Sequence, residues 1–404
     1  MSQLITLFAL LFFWGCEDKV SDGGQVQDRV EEPPVFTQPA KPCDINTPLP
    51  PSNLVIKAEG SATTSAAIEF SAPAQECGID HIQFAIGTSP GEDDVRSFHS
   101  IGLQNSYTEE NLVLDYSKQY YITLKSVGKN GKVSTTISTD SWQIFDPRTL
   151  TDLVVWLDSS DSSALEDSAG NHPGSAGFNG EINLWHDRSG SPAAHDFSAN
   201  SGAPNWDVTE RALMFNGSND MMFTADHDDI NTSIIGQRTL AVRFRSADEV
   251  LSRQVIYEEG GILRGINFYI EDGKFHCGFW NNIDDGDQRQ RFTRVSEEIN
   301  PNTRYTAIMV YDYSNFNGRR GPKGEIECYI DAQSIGTTQT TSRLHAHSGD
   351  IGLGSMNNGS YFSDGSVWGG GYHFKGHIYE LLMYNTAHSS TSIDRLHQNL
   401  AAKW

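Results

Sequence analysis

The chain has 404 residues, which at about 100–200 residues per domain predicts two or three domains. Hydrophobic residues make up 37%, charged residues 20%, and 37 positions are glycine, the composition of a polar, Gly-rich globular chain. With 52 acidic against 29 basic side chains the formal net charge is −23, so phosphate backbones and anionic headgroups would repel it and nucleic acid is not an expected partner. Beyond residue 16 no apolar run approaches the roughly 18 residues needed to span a bilayer.

Leu4 to Trp14 form an apolar stretch broken only by Thr6 and followed by Gly15, Cys16, Glu17 and Asp18. Its length suits a signal-peptide core rather than a membrane span. The ending Phe13-Trp14-Gly15-Cys16 resembles a bacterial lipoprotein processing site. That resemblance implies a signal peptide over 1–16, lipid on Cys16, and a protein of the cell envelope, at the outer membrane or cell surface, touching the membrane only through this anchor. An ordinary signal peptide with an incidental cysteine is the alternative. Residues 17–47 are rich in Pro, Gly, Gln and acid with apolar residues scattered singly; they cannot bury a core and are expected to form a disordered tether.

Residues 48–145 predict a small β-sandwich. Alternating runs such as Ala67-Ile68-Glu69-Phe70, 81–86 and 121–127 are separated by turn residues, as in Gly87-Thr88-Ser89-Pro90-Gly91 and Gly128-Lys129-Asn130-Gly131. The segment resembles a fibronectin type III domain, carried by 114–121, where Leu114 and Tyr120 hold the places of that family's leucine and corner tyrosine. Phe70 stands where the family usually has a tryptophan. Gly87-x-Ser89-x-Gly91 also fits a nucleophile elbow, but that motif needs a strand–turn–helix setting, and Pro90 before an acidic run predicts a hairpin turn instead.

Residues 146–404 predict a large all-β jelly roll, with strands at 153–157, 211–215, 239–244, 254–257, 266–271, 274–280, 304–311, 325–330 and 376–384. Asp272-Gly273 suits a type I′ hairpin turn between two of them. Only Ser392 to Lys403 has helical spacing, with Ile393, Leu396 and Leu400 on one face. The segment resembles a concanavalin A-like, laminin-G-like domain of bacterial surface proteins. The phrases that carry this are Leu153-Val154-Val155-Trp156-Leu157-Asp158, Trp185-His186-Asp187-Arg188-Ser189-Gly190, Leu213-Met214-Phe215-Asn216-Gly217-Ser218-Asn219-Asp220 and, later, 349–354 and 374–381. The fold class expected is thus all-β, an immunoglobulin-like sandwich followed by a jelly roll. With Cys16 lipidated, four cysteines remain in an exported chain; pairing Cys43 with Cys77 and Cys277 with Cys328 keeps each disulfide within one predicted domain, although the sequence allows three connectivities.

Retaining glucanases of this fold carry a Glu-x-Asp-x-(x)-Glu strand that sets two carboxyls about 5–5.5 Å apart; the sequence has no such array, and no His-Glu-x-x-His or phosphate-cradling loop. Glu258-Glu259 and Glu297-Glu298 are adjacent pairs whose members fall on opposite strand faces. His345, His347, His373 and His377 could hold a transition metal but are expected to cap turns or line a solvated edge. Calcium is the expected cofactor, because related jelly rolls hold it at a loop-bearing rim. Asn219 and Asp220 match the family phrase that follows the Phe-Asn-Gly turn; Asp226, Asp228 and Asp229, and Asp284, Asp285 and Asp287, form further acidic loops, with solvated turn residues as the alternative. Trp280, Trp368 and Tyr372 are the aromatic side chains expected to stack on a sugar face or anchor a protein partner. The reading is therefore a non-catalytic envelope lipoprotein that binds a glycan or a surface protein. A carbohydrate-active enzyme and a purely structural envelope component are the alternatives.

Overall fold

Alternating burial builds the first sandwich. In the strand Ala66–Ser71, Ala66, Ile68 and Phe70 point into the core while Glu69 stands in solvent. This strand lies between Ser52–Ile56 and Ser106–Glu109 in a three-stranded sheet. Against it packs a second sheet in the order Arg96–Gly102, Ile79–Gly87, Gln119–Gly128 and Ile137–Ser138, with Trp142–Gln143 also paired to Gln119–Gly128. The computed structural model describes residues 47–57, 65–73, 78–112, 114–115, 118–200, 202–282, 292–313, 324–340 and 342–403. Cys16, Cys43, Cys77, Asp284, Asp285 and Asp287 therefore lie outside the described residues. Leu114 and Tyr120 are buried, and the Tyr120 hydroxyl accepts the Asp115 N–H at 2.6 Å, the corner geometry of an immunoglobulin-like sandwich. After Gly87 the chain turns at Ser89–Gly91 and returns as the strand Arg96–Gly102; no helix follows the turn.

The second sandwich stacks two larger antiparallel sheets. One has the order Asn205–Asp207, Ala212–Asn216, Lys375–Tyr384, Gln237–Ser246, Arg304–Asp312, Glu325–Ile330 and Gln333–Gln339, with Leu153–Asp158 also paired to Lys375–Tyr384. The facing sheet runs Leu165–Glu166, Leu184–Trp185, Phe197–Ala199, Met222–Thr224, Ile351–Leu353, Gln254–Gly260, Arg264–Glu271, Lys274–Asn281 and Phe292–Glu298. All nine strands expected from the sequence are present, and Asp272 (φ 53°) and Gly273 (φ 74°) make the expected left-handed turn. Short or solvent-flanked strands such as Gln333–Gln339 went unseen because an exposed edge has little alternation to read. Both sandwiches belong to one compact unit, Ile45–Trp404.

At their centres both faces of these sheets are covered, which is why strands such as Gln254–Gly260 are buried throughout. The inner faces share one apolar core, including Val242, Met309, Ile256, Phe268, Phe275 and Phe279. Outside the first sheet lies the helix Ser390–Lys403, whose Ile393, Leu396 and Leu400 pack on Ala241, Ile308 and Leu382. Outside the second lies a hairpin, Gly359–Phe362 and Gly365–Trp368, whose buried Phe362 packs with Val255, Tyr269 and Met356. Cys277 and Cys328 come from the facing sheets, and their thiols meet in the core. The structure records both as free cysteines, side by side where the expected disulfide would join them. Burial, with the Cys277 thiol alongside, pushes Cys328 well above the ordinary thiol range, so the pair packs as protonated, hydrophobic groups rather than as a reactive thiolate.

Two buried ionic networks tie these layers together. Arg238, on the first sheet, is fully buried and donates from Nη1 to both carboxylate oxygens of Glu259 on the facing sheet, each at 2.7 Å. The Tyr257 hydroxyl also donates to Glu259, at 2.6 Å. Burial opposes ionisation of Glu259, but the Arg238 guanidinium, His347 and the Tyr257 hydroxyl together outweigh it and hold the carboxyl below its usual range. At the end of the helix, Lys403 Nζ donates to Asp158 at 3.0 Å and to both oxygens of Glu380 at 2.8 Å, and Trp156 Nε1 donates to Glu380 at 2.8 Å.

Replacing Arg238 by Met leaves Glu259 buried and uncompensated, and should cost about 3–5 kcal/mol in denaturant unfolding. Pairing that change with Glu259→Met should recover most of the loss, because no buried charge remains.

Glu380 supplies a pH dependence. Burial raises its carboxyl to about 7, with Lys403 opposing and Asp158 assisting. Between the ordinary carboxyl value near 4.5 and about 7, the folded state therefore binds more protons than the unfolded one. This contribution to stability is complete below pH 4.5 and is lost as pH rises through 7. In melting curves across that range, the wild type should lose stability relative to Glu380→Gln as pH rises; parallel curves would refute the assignment.

Candidate functional site

The hairpin over the second sheet presents the most exposed large aromatic side chain among the described residues. Trp368, at the end of the strand Gly365–Trp368, is 74% exposed. Gly369, Gly370 and Gly371 follow, and then Tyr372, 36% exposed. This loop is fixed in place. Gly369 N–H donates to Asn358 O at 3.1 Å, Met356 and Gly371 exchange two backbone bonds, and Val255 N–H donates to Tyr372 O at 2.7 Å. Tyr372 holds a left-handed backbone (φ 54°), which is costly for a bulky side chain and persists only where its surroundings impose it.

Arg253 is the side chain that braces this loop. Its guanidinium lies 4.3 Å from the Phe362 ring centre and 5.2 Å from that of Tyr372. Nη2 reaches Glu271 at 2.6 Å and Asp364 at 2.9 Å. Phe362 and Tyr372 meet edge to face at 5.5 Å. Asn267 on the sheet donates from Nδ2 to Ser360 Oγ at 2.9 Å and to Tyr361 O at 3.1 Å, stitching the hairpin down. The sequence does not reveal Arg253 or Asp364, because they join the site only through the fold.

Trp280 does not belong to this surface. It is fully buried, its Nε1 donates to Gly261 O at 2.7 Å, and its ring lies across Gly265, where a Cβ would come within 2.5 Å of it. The hairpin and the Gly261–Gly265 turn cover the outer sheet face, so a tryptophan expected at a solvent-facing rim becomes part of the packing.

Asn219 and Asp220 lie on a polar cleft of about 420 Å³ lined also by Glu181, Asn183, Asn205 and Asn216. The strand Ala212–Asn216 ends in a turn in which Asn216 Oδ1 accepts the N–H of Ser218 at 2.7 Å and of Asn219 at 3.1 Å. Asn216 in turn donates to Asp220, through its backbone N–H at 2.9 Å and its Nδ2 at 2.8 Å, and from Nδ2 to Asn219 Oδ1 at 2.8 Å. Asp220 is buried, and that burial raises its carboxyl above the usual range against the Asn216 N–H. Asn183 Oδ1 is buried without a hydrogen-bond partner among the described residues. This oxygen-rich cleft has the donor set a hard cation takes.

The remaining acidic and histidine groups have separate partners. Asp226 accepts from Asp350 N at 2.8 Å, Gly349 N at 3.1 Å and Asn231 Nδ2 at 2.6 Å, and Asp228 accepts from Thr232 Oγ1 at 2.5 Å. His347 Nδ1 meets His345 O at 2.7 Å, His373 Nδ1 meets Asp220 O at 3.2 Å, and His377 Nε2 meets Asp207 at 3.0 Å. Among the described residues, the one set of three ligand-bearing side chains that converges is His195, His227 and Asp229, which the sequence does not reveal as a group. Glu258 and Glu259 face opposite ways: Glu259 meets Arg238, whereas Glu258 is buried beside the Asn357 N–H with its carboxyl pushed well up by burial.

The two tryptophans should separate in mutational scans. Trp280→Ala empties a packed site and should cost about 3–5 kcal/mol, whereas Trp368→Ala should leave stability within about 0.5 kcal/mol of wild type. Chemical denaturation of the two variants checks both.

No protein-family model matches the chain, and no curated protein matches it. Solved structures do. The binding domain of botulinum neurotoxin DC in complex with SialylT is 9% identical with a TM-score of 0.41, over 62% of this chain and 51% of that one. The binding domain of botulinum neurotoxin serotype D is 9% identical with a TM-score of 0.40, over 61% and 51%. The DC binding domain in complex with rat synaptotagmin II is 8% identical with a TM-score of 0.41, over 62% and 52%. The chain thus spans about half the length of the structures it matches.

Proposed function

We propose that this chain is a non-catalytic envelope lipoprotein that binds a glycan. In this reading Cys16 carries the lipid, 17–47 tether the folded part, 48–145 form a fibronectin type III spacer, and 146–404 form a laminin-G-like head. The observation that carries the reading is Trp368: an indole mostly in water, on a braced hairpin, beside a half-exposed Tyr372 whose backbone is held in an unfavourable conformation. Exposed tryptophan and tyrosine on a fixed loop are the side chains that binding surfaces use as anchors. Sugar rings offer a flat C–H face for such rings, and Asp364, a mostly exposed carboxylate paired with Arg253, would accept from sugar hydroxyls. Calcium is proposed at the polar cleft, where Asp220, Asn219, Glu181 and Asn183 would supply oxygen ligands.

A glycan array probed with the full chain, in calcium and again in chelator, tests both parts. A defined glycan class should be retained by wild type and lost in Trp368→Ala, with the melting temperature unchanged. Chelator and Asp220→Ala should each remove any calcium-dependent rise in melting temperature, and magnesium should not restore it. A blank array with cell binding that still depends on Trp368 would make a surface protein the ligand. Binding that survives both Trp368→Ala and Tyr372→Ala would refute the site.

A further inference from the structure

The fold brings two histidines and an aspartate to one end of the second sandwich. His195 comes just before the strand Phe197–Ala199, and His227 and Asp229 come just after the strand Met222–Thr224. These strands pair antiparallel, Ser198 opposite Phe223. The start of one therefore lies beside the end of the other, and residues more than thirty positions apart meet. His195 Nε2 is 2.9 Å from Asp229 Oδ1 and 3.1 Å from Oδ2. His227 Nδ1 contacts the same Oδ1, and the two imidazoles stand edge to face at 4.9 Å. All three ligand atoms lie within 4.8 Å of one another.

We propose that His195, His227 and Asp229 bind one divalent transition-metal ion of the zinc class. Two imidazole nitrogens and a carboxylate oxygen are the ligands such an ion takes. Zinc bonds of about 2.0–2.1 Å set neighbouring ligand atoms about 3.3 Å apart in a tetrahedron, a separation the present atoms reach with small side-chain rotations. His195 is buried, while His227 and Asp229 are partly exposed. The ion is thus enclosed on the protein side, and its fourth position faces solvent, open to water or to a ligand atom from a partner.

The backbone carrying these ligands is built in advance. His227 O accepts the N–H groups of Ile230, Asn231 and Thr232 at 2.8–3.1 Å, and His227 N–H donates to Asn231 Oδ1 at 3.0 Å. Asn385 Nδ2 donates to Asp229 O at 2.7 Å, and buried Arg238 donates to Ile230 O at 2.6 Å. On the other loop, His195 N–H donates to Asp187 at 3.1 Å, and Asp187 also accepts the Trp156 N–H at 2.9 Å. Fixed backbone on both sides is what holds metal ligands to their geometry. The proposal is independent of the glycan reading, since it uses none of the residues around Trp368.

The full chain, purified without a polyhistidine tag and stripped with chelator, is titrated with Zn2+ by calorimetry and with Co2+ by visible absorption. One Zn2+ per chain should bind, Co2+ should give the absorption of a low-coordinate site, and neither Ca2+ nor Mg2+ should compete. His227→Ala and Asp229→Asn, at partly exposed positions that leave the fold intact by circular dichroism, should each weaken Zn2+ binding by more than about tenfold. His345→Ala should not. Absence of stoichiometric Zn2+ binding, equal binding by His227→Ala, or displacement of Zn2+ by Ca2+ would overturn the proposal and leave two imidazoles hydrogen-bonded to one carboxylate.

Discussion

An arginine buried between two sheets needs a counter-charge and acceptors for its terminal nitrogens, and Arg238 sets this condition for the larger sandwich. Its guanidinium is fully enclosed, so Glu259 must come from the facing sheet and backbone carbonyls must come from the rim. Meeting that demand fixes the spacing of the sheets at one edge. It also holds 229–230 and Asn385 in place, because Nη2 donates to Ile230 O and to Asn385 Oδ1. Hydrophobic packing alone would stabilise the sheets but is not directional; the ion pair adds the direction. The second network, Lys403 with Asp158 and Glu380, does the same for the helix on the other side.

With the central strands covered on both faces, recognition falls to the sheet flanks, edges and loop tips. The hairpin Gly359–Trp368 is instructive: it buries Phe362 against Tyr269 and so lifts Trp368 into solvent on the far side of the same ribbon. Strand pleating does this directly, since alternate residues face opposite ways. The polar cleft of Asn219 and Asp220 and the His195–His227–Asp229 cluster both involve loops flanking the short strands Phe197–Ala199 and Met222–Thr224. Short strands leave longer connections, and the polar side chains gather there.

Periodicity made the framework legible. Leu153–Asp158, Arg304–Asp312, Glu325–Ile330 and Lys375–Tyr384 read as strands from apolar content and β-branched or aromatic residues, and Asp272-Gly273 marked its own turn. Tyr120 was legible because its hydroxyl closes on a backbone five residues away, a local relation. The failures are non-local. Trp280 reads as available until the covering turn at Gly261 is in place. Asp229 is one acid among several in its loop, and nothing near it in sequence announces His195. Asn219 and Asp220 were found as a phrase, but their engagement by Asn216 depends on the turn's geometry.

The central claim is that the Arg238–Glu259 pair orders the rim and not only the core. Amide hydrogen exchange on the Arg238→Met, Glu259→Met double variant separates the two roles, since that variant removes the charges while keeping apolar volume. The account predicts that Ile230, Asn231 and Thr232, whose N–H groups bond to His227 O, lose protection while the paired strands Gln237–Ser246 and Arg304–Asp312 keep theirs. Unchanged protection at 230–232, or a uniform loss across the sandwich, would contradict it.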